Sequence, residues 1–259
     1  MERRPLGRTG LEVSPLGFGA FKIGRNEGIK YPQPYPIPSD EEVARLLDGI
    51  LDMGINLIDT APAYGTSEER IGQCLASRRS DYILSSKAGE VWKDGHSHYD
   101  FSPEAIRRSV EESLRRLQTD HLDLLLLHSD GSDLHVQQDG VVPNQLRSLR
   151  DAGMARAIGM SGKTSEGMHA ALEWSDVVML EYNMDDTTME PVIQAAADKG
   201  IGVLVKKGLG SGHLDAEASL AFLMNQSPVS GGISSIVIGS RSLERMHSNA
   251  SLMARLQQG

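Results

Sequence analysis

The sequence has almost none of the features that build disulfide frameworks, cysteine-based zinc sites or membrane spans. Cys74 is the only cysteine among 259 residues, so an intramolecular disulfide and a cysteine-based zinc site are excluded, and no metal is expected. No apolar run of about 18 residues occurs. The polar start of the chain, interrupted by Pro5 and Gly7, lacks the apolar core of a signal peptide. These absences predict a soluble cytoplasmic protein.

Long blocks of like charge are also missing. The formal net charge of −9 is spread along the chain, which argues against nucleic acid or an anionic membrane as the main partner. A small molecule is the expected partner. The chain is expected to be a monomer, with an oligomer as the open alternative.

Strand-like and helix-like segments alternate along the chain. Their number is consistent with one α/β barrel or with two smaller domains. Eight strand–helix pairs without a break in composition predict an α/β fold, a single closed (β/α)8 TIM barrel over residues 1–259, with a short N-terminal β-hairpin near residues 6–11. An open doubly wound sheet is the alternative, although no Gly-x-Gly-x-x-Gly follows the first strand. The predicted strands lie near 13–21, 55–58, 81–87, 123–128, 155–160, 177–181, 202–206 and 236–239, and the predicted helices near 39–53, 67–75, 102–117, 142–152, 165–174, 189–199, 215–225 and 242–256.

Polar residues follow three consecutive predicted strands. Asp59, Lys87 and His128 stand at the ends of the second, third and fourth strands, and Tyr64 lies in the loop after Asp59. The carboxyl ends of barrel strands meet at one mouth. A buried carboxylate there needs a cation, and a phenol beside that cation can donate a proton. Each residue taken alone has an ordinary structural interpretation, but their convergence on one rim favours catalysis.

Several motifs resemble the aldo-keto reductase family over nearly the whole chain. The Asp-x4-Tyr spacing, followed by Lys and His at the next two strand ends, is specific as a set. The resemblance implies a (β/α)8 barrel that reduces carbonyl compounds by hydride transfer from NADPH. The matching segments are Leu6-Gly-Arg-Thr-Gly-Leu-Glu-Val-Ser-Pro-Leu-Gly17, Asp59-Thr-Ala-Pro-Ala-Tyr-Gly65, Ser67-Glu-Glu-Arg-Ile-Gly72, Ser85-Ser-Lys87, Asp123-Leu-Leu-Leu-Leu-His128, Glu181-Tyr-Asn183 and Ile238-Gly-Ser-Arg-Ser242.

The resemblance also implies a role for each of the four polar residues. Tyr64 would be the general acid, and Lys87, paired with Asp59, would lower the phenol pKa from about 10 toward the working pH. His128 would orient the carbonyl and donate a hydrogen bond to the developing oxyanion. The substrate pocket is expected to be lined by Phe21, Tyr64, Trp92 and His128, beside the loops 24–38 and 129–140.

Further residues are implied to bind the cofactor. Arg241 and Arg245, just after the eighth strand, are placed to bind a 2′-phosphate and to stack on adenine, which favours NADPH over NADH. Glycines in the loop 208–213 allow the pyrophosphate to approach the backbone closely. The residues expected to contact NADPH are Gly19, Ala20, Phe21, Asp59, Ser161, Lys206, Leu209, Ser211, Ser240, Arg241, Ser242, Arg245 and Asn249.

Three positions depart from the family pattern around the nicotinamide. The pair Ser161-Gly162 stands where Ser-Asn is common, and Met179 replaces a glutamine. Lys206 replaces an aromatic residue that stacks under the nicotinamide. A cation there would disfavour the oxidised, positively charged ring, unless the side chain turns outward or binds a cofactor phosphate.

Three functions are therefore weighed. The first is NADPH-dependent reduction of aldehydes and ketones. The second is a nucleotide-binding regulatory barrel with little turnover, which the nicotinamide-site departures favour. The third is a Schiff-base lyase that uses Lys206 or Lys87, although Asp59 beside Lys87 would keep that amine protonated.

Overall fold

The computed structural model describes residues 1–29 and 31–257, and it contains the closed eight-stranded parallel barrel and the N-terminal hairpin that the sequence predicts. The strands are β1 (Arg4–Pro5), β2 (Glu12–Val13), β3 (Leu16–Gly19), β4 (Leu57–Asp59), β5 (Ile83–Ala88), β6 (Glu90–Lys93), β7 (His96–Tyr99), β8 (Leu122–His128), β9 (Ala155–Ser161), β10 (Val177–Glu181), β11 (Gly202–Lys206) and β12 (Ser235–Ile238). The barrel runs β3-β4-β5-β8-β9-β10-β11-β12 and closes where β12 pairs with β3.

Helices connect successive barrel strands. They are α1 (Phe21–Gly24), α2 (Asp40–Asp52), α3 (Ser67–Leu75), α4 (Pro103–Leu117), α5 (Val141–Asp151), α6 (Ser165–Ala171), α7 (Glu190–Lys199), α8 (Ala216–Ala221), which continues into a π-turn, and α9 (Leu243–Leu256). Local sequence explains their starts: Ser39 and Glu42 form a reciprocal capping box at α2, and Ser102 caps α4 ahead of Pro103. None of the helices in residues 1–29 and 31–257 is long and apolar enough to span a bilayer.

Apolar side chains fill the barrel from inside, and the N-terminal hairpin covers one end. Arg8 N donates to Gly200 O at 2.9 Å, which ties the hairpin turn to the start of β11. Gly7 has φ +54° there, and a Cβ would lie 2.3 Å from Gly202 N, so only glycine fits. The opposite end, where the strands finish, is left for polar side chains. The interior cluster contains Leu6, Leu11, Val13, Leu57, Leu124, Leu126, Ala157, Val177, Met179 and Leu204.

One hairpin was missed by the sequence analysis. Strands β6 and β7 pair antiparallel directly after β5, with Trp92 opposite Ser97. The turn is Asp94-Gly95, and both residues have positive φ, 52° and 77°. An Asp-Gly pair between two extended runs is the usual sign of such a turn, so the signal was present in the sequence.

Candidate active site

Asp59 and Lys87 form a buried ion pair at the mouth of the barrel. The ammonium of Lys87 lies 2.7 Å from both carboxylate oxygens of Asp59 and 2.8 Å from Thr60 O. Ser85 Oγ donates to Asp59 Oδ1 at 2.9 Å. Strands β4 and β5 hold the two side chains in register, since Asp59 pairs with Ser85 two residues before Lys87. Every donor of the ammonium therefore has an acceptor.

Tyr64 lies against this ion pair. It ends the 3-10 turn Pro62–Tyr64, which follows β4. Lys87 Nζ is 4.8 Å from the centroid of its ring. The ring packs edge-to-face against Phe21, with centroids 5.1 Å apart, and against His128, with centroids 6.1 Å apart. The structure thus brings the four predicted catalytic residues into one cluster.

The charge state of Tyr64 differs from the sequence-based expectation. Burial raises the pKa of Tyr64 well above 10, Asp59 and Glu90 act in the same direction, and Arg25 opposes them. The pKa of Tyr64 is therefore raised, opposite to the expected lowering toward the working pH. Burial is the largest cause of the rise, and Asp59, which contacts the Lys87 ammonium through both carboxylate oxygens, adds to it. Tyr64 is therefore protonated at neutral pH.

His128 contacts a carboxylate that the sequence analysis did not identify. Its Nδ1 lies 2.8 Å from Glu90 Oε2, at an angle outside the range of a regular hydrogen bond. Ser97 Oγ donates to the other oxygen, Glu90 Oε1, at 2.5 Å. Burial alone would raise the pKa of Glu90, but the contacts with His128 and Ser97 bring it to about 2. Glu90 is ionised, and it belongs to the missed hairpin.

The ring of His128 is neutral. Burial lowers its pKa, Lys87 and Lys206 act in the same direction, and Glu90 opposes them. A neutral imidazole has one N–H group. The donation from His128 to an oxyanion, which stays a prediction, would use this one N–H group.

Aromatic rings and a buried guanidinium form the wall beside Tyr64. Arg25 is 9% exposed, and its Cζ lies 3.2 Å from the ring centroid of Trp92 and 5.3 Å from that of Phe21. Arg25 Nη1 donates to Ala63 O at 3.0 Å. Phe21 thus contacts Tyr64, and Trp92 is joined to Phe21 through the Arg25 guanidinium; their contact with a substrate stays a prediction. Arg25 was missed, because nothing in its sequence context separates it from an exposed loop arginine.

Lys206 lies at the same mouth, at the end of β11. Its Nζ donates to Ser161 Oγ at 3.0 Å, so two positions expected near the cofactor are in contact. Burial lowers the pKa of Lys206 to about 7, with Lys207, Lys87 and Lys163 acting in the same direction. Met179 lies in the barrel interior at 1% exposure. It therefore cannot replace the polar contacts of a glutamine.

A second group of cations lies near the start of α9. Burial lowers the pKa of Lys22, and Arg241 and Arg245 lower it further, so the three charges are close together. Arg241 Nη1 donates to Pro36 O at 3.3 Å, and its Cζ lies 4.9 Å from the Tyr35 ring centroid. Lys22 follows Phe21 on α1 and was not predicted. Three converging cations are suited to a phosphate.

The remaining predicted cofactor residues differ in how free their polar groups are. Ser240 Oγ donates to Ser242 O at 3.1 Å, within its own turn, and its contact with NADPH stays a prediction. Ser242 Oγ accepts from Arg245 N at 3.2 Å as the cap of α9, which leaves its own O–H free. For five other predicted cofactor residues the structure gives the position only, and their contact with NADPH stays a prediction. They are Gly19 and Ala20 at the end of β3, Leu209 and Ser211 in the turn after β11, and Asn249 on α9.

Two tyrosines of the loop 24–38 contact residues beside these cations. Tyr31 packs on Phe21 with centroids 6.1 Å apart, and Lys22 Nζ lies 3.8 Å from the Tyr31 ring centroid. Tyr35 OH donates to Arg25 O at 2.7 Å. Across residues 1–29 and 31–257, no cluster of three or more His, Cys, Asp or Glu side chains has the arrangement of a metal site.

Comparison with known proteins agrees with this architecture. The model of the Aldo/keto reductase family matches residues 15–220. L-galactose dehydrogenase of Arabidopsis thaliana is 34% identical over 227 residues, which are 83% of this chain and 67% of that protein. The NADH-specific methylglyoxal reductase of Escherichia coli is 30% identical, over 83% of this chain and 69% of its own.

Solved structures give the same result. An aldo-keto reductase structure from Pseudomonas aeruginosa is 42% identical, superposes with a TM-score of 0.89, and is matched over 98% of this chain and 95% of its own. The holo form of an aldo-keto reductase from Bacillus halodurans, at 24% identity and a TM-score of 0.82, shares the fold over 100% of this chain and 96% of its own. The chain therefore belongs to the aldo/keto reductase family and is an NAD(P)H-dependent oxidoreductase that acts on small carbonyl compounds.

Proposed function

We propose that the protein reduces aldehydes and ketones to alcohols with NADPH, and that Tyr64 is the general acid. The observation that carries this proposal is the buried Asp59–Lys87 pair, whose ammonium lies 4.8 Å from the centroid of the Tyr64 ring. The reduced nicotinamide, when bound, supplies a hydride to the carbonyl carbon. The protein must then supply one proton to the carbonyl oxygen.

Tyr64 is suited to supply that proton. It is protonated at neutral pH, because burial raises its pKa. As the proton leaves, negative charge develops on the phenol oxygen beside the fixed ammonium of Lys87, which needs no rearrangement to stabilise it. The proton returns to Tyr64 from water before the next turnover. His128, 6.1 Å away between ring centroids, orients the substrate on the other side.

The cationic group at α9 supports NADPH as the cofactor. Lys22, Arg241 and Arg245 would hold its phosphates. The opposite end of the site is compatible with a positive nicotinamide only when Lys206 is neutral, and the lowered pKa of Lys206, about 7, permits that near neutral pH. The choice between NADPH and NADH has to be measured directly, because the Escherichia coli relative is an NADH-specific enzyme.

The test is the Tyr64→Phe variant, which keeps the ring and removes the proton. We expect kcat for reduction of an aldehyde to fall by about 100-fold or more, because a positioned general acid contributes a factor of that size. NADPH affinity, measured by fluorescence titration, should stay within about twofold, since the variant changes no phosphate contact.

Tyr31→Phe is the matched control, because Tyr31 places another phenol beside Phe21. It should retain most of its activity. If Tyr64→Phe keeps most of kcat, or if both variants lose equally, the general-acid assignment is wrong.

One observation favours a second chemistry, imine formation at Lys206. A lysine with a pKa of about 7 is a substantial nucleophile at neutral pH, and Lys206 lies at the mouth that would receive carbonyl compounds. Lys87 is unsuited to this role, because Asp59 and Thr60 accept all three of its donors. Borohydride trapping with an aldehyde, followed by peptide mass spectrometry, would identify an adduct at Lys206. Turnover of NADPH without any adduct would reject this alternative.

A further inference from the structure

A cleft of about 500 Å³ lies at the end of the barrel that the N-terminal hairpin covers, opposite the mouth that holds Tyr64. Its walls are β1, the turn between α7 and β11, and the segment that leads into β12. A volume of this size is typical of small-molecule sites. The described residues that line the cleft include none of those assigned above to catalysis or to the cofactor.

Arg4 is the one charged residue among the described residues that line this cleft. Its Nη1 donates to Ile233 O at 3.3 Å, and its Nη2 donates to Met224 Sδ at 3.5 Å. The first distance is longer than a usual N–H···O hydrogen bond, and a thioether sulfur is a weak acceptor. The guanidinium has five N–H donors, so most of its hydrogen-bonding capacity is unused within the protein.

The positive charge of Arg4 also lacks a close counter-charge. Within residues 1–29 and 31–257, no carboxylate forms an ion pair with Arg4. Burial lowers the pKa of Arg4 from its ordinary value, and the charge of the exposed Glu2 opposes this change. The group still keeps its proton at neutral pH, because an arginine does not deprotonate in proteins. A bound anion would therefore offset the cost of removing this charge from water.

Ser234 supplies a second unused donor in the same cleft. Its side chain is almost fully buried, since the residue is only 8% exposed. Ser234 Oγ accepts from Val203 N at 3.3 Å, and in the described part of the chain its own hydroxyl proton has no acceptor. Ser234 N donates to Val203 O at 2.9 Å, which fixes the backbone of this residue beside β11. A buried donor without an acceptor is unusual in a folded protein, and it favours a ligand that accepts.

We propose that this cleft binds a phosphate group, through the guanidinium of Arg4 and the hydroxyl groups of Ser230 and Ser234. Phosphate oxygens match the planar fork of a guanidinium, and further oxygens remain for the two hydroxyl groups. A carboxylate has only two oxygens for the same donors. The volume of the cleft exceeds that of a phosphate ion, so it also accommodates the organic part of a small phosphate monoester.

The position of the cleft determines what such a ligand does. It joins β1 to the segment before β12, two parts of the chain that are distant in sequence. Because Tyr64 lies at the opposite end of the barrel, the ligand does not compete with a carbonyl substrate. The proposal is therefore independent of the function proposed above.

The experiment measures binding of glycerol 3-phosphate by isothermal titration calorimetry at constant ionic strength. It compares the wild type with Arg4→Gln and with Arg3→Gln, which removes the same charge from the neighbouring, exposed position. We expect Arg4→Gln to raise the Kd about tenfold or more, because a bidentate charge-assisted contact is lost. Arg3→Gln should keep the Kd within about twofold, since solvent and salt screen an exposed charge.

Two further variants separate this site from other sources of phosphate affinity. Arg241→Ala changes the cationic group near α9, which also attracts phosphate, and it should retain the binding that depends on Arg4. Arg4→Lys keeps the charge but removes the fork, so its Kd should lie between those of the wild type and Arg4→Gln. Circular dichroism checks that each variant is folded. If Arg4→Gln does not fold, Ser230→Ala takes its place and should raise the Kd about threefold, the effect of one neutral hydrogen bond.

The same titrations identify the ligand class. Tighter binding of glycerol 3-phosphate than of inorganic phosphate, lost in Arg4→Gln, supports a phosphate monoester, whereas equal binding with the same dependence on Arg4 supports the free ion. Acetate that binds as tightly as either would overturn the assignment of phosphate. An unchanged Kd in Arg4→Gln, or equal weakening by Arg3→Gln or by Arg241→Ala, would overturn the site itself.

Discussion

Two lysines end two strands of the same barrel, and the groups around them differ. Lys87, at the end of β5, is 1% exposed and lies 2.7 Å from both carboxylate oxygens of Asp59. Lys206, at the end of β11, donates to the hydroxyl of Ser161 and is faced mainly by other lysines. Lys87 has a carboxylate as its partner, whereas Lys206 has none within contact among the described residues and its pKa falls to about 7.

Position in the fold therefore determines where a lysine side chain points, but the groups around it determine how strongly its amine holds a proton. Both side chains point to one mouth because both strands end there. A buried ammonium without a carboxylate loses its proton more easily, since desolvation and like charges favour the neutral amine. The Lys87 side of the site contains an ion pair, and the Lys206 side contains an amine whose pKa is lowered to about 7.

The largest expected effect comes from breaking the pair that fixes Lys87. Asp59→Asn leaves the ammonium buried without a counter-charge. We expect the free energy of unfolding, measured in urea at pH 7, to fall by about 3–5 kcal/mol, which is typical when one partner of a buried ion pair is removed.

The control is the double variant Asp59→Leu with Lys87→Met. It removes both charges and substitutes apolar side chains, so it should be much more stable than Asp59→Asn alone. Reduction of aldehydes should be lost in both variants. A single variant that loses less than about 1 kcal/mol would mean that Lys87 finds another partner or is neutral.

The next effect concerns Lys206, whose replacement should raise rather than lower the free energy of unfolding. The pKa of Lys206 is about 7 in the folded protein and 10.5 in the reference state, so the folded protein binds this proton less strongly. The destabilisation is complete below about pH 7 and decreases as the pH rises toward 10.5. Lys206→Met should therefore raise the free energy of unfolding by about 2 kcal/mol at pH 6, a part of the full linkage value because the side chain keeps some solvent contact.

Urea unfolding of Lys206→Met at pH 6, 8 and 10 tests both the sign and the size of this change in the free energy of unfolding. The gain over the wild type should shrink with rising pH. Lys199→Met, which removes an exposed lysine paired with Glu173, is the matched control and should change stability by less than about 0.5 kcal/mol at every pH. A gain for Lys206→Met that is constant with pH would show that apolar packing, rather than the lysine charge, is responsible.

Some features of the fold and of the site could be predicted from the sequence. The placement of Asp59, Lys87 and His128 was predictable, because a residue that follows a barrel strand must lie at the shared mouth. The fold was predictable for the same reason, from eight alternating strand–helix pairs. Neither inference needs side-chain detail.

The contact of Glu90 with His128 and the pKa values of the buried residues were not predictable in that way. Glu90 reaches His128 only because the hairpin β6–β7 folds back over the barrel mouth, and sequence spacing does not give that direction. The pKa values depend on burial and on neighbours that are distant in sequence, which is why the expected lowering for Tyr64 became a rise.

The smallest effect concerns Arg241, whose charge, like that of Lys206, lies on the proposed cofactor side of the site. Its contacts are a backbone carbonyl at 3.3 Å and the ring of Tyr35, both of which a phosphate can outcompete. Arg241→Ala should raise the Kd for NADPH about tenfold, which corresponds to the loss of one exposed charge-assisted contact of about 1.4 kcal/mol. The Kd for NADH should stay within about twofold, because NADH has no 2′-phosphate.

A matched control separates a direct contact from the general field of positive charge. Arg45 lines the same cleft of about 300 Å³ as Arg241, but its nearest carboxylate is Glu41 on its own helix, 4.0 Å away. Arg45→Ala removes the same charge and should leave the Kd for NADPH nearly unchanged. Equal weakening by the two arginine variants would attribute the effect to long-range charge. Equal weakening of NADPH and NADH by Arg241→Ala would place Arg241 against a part of the cofactor that both share, and would remove the argument for NADPH.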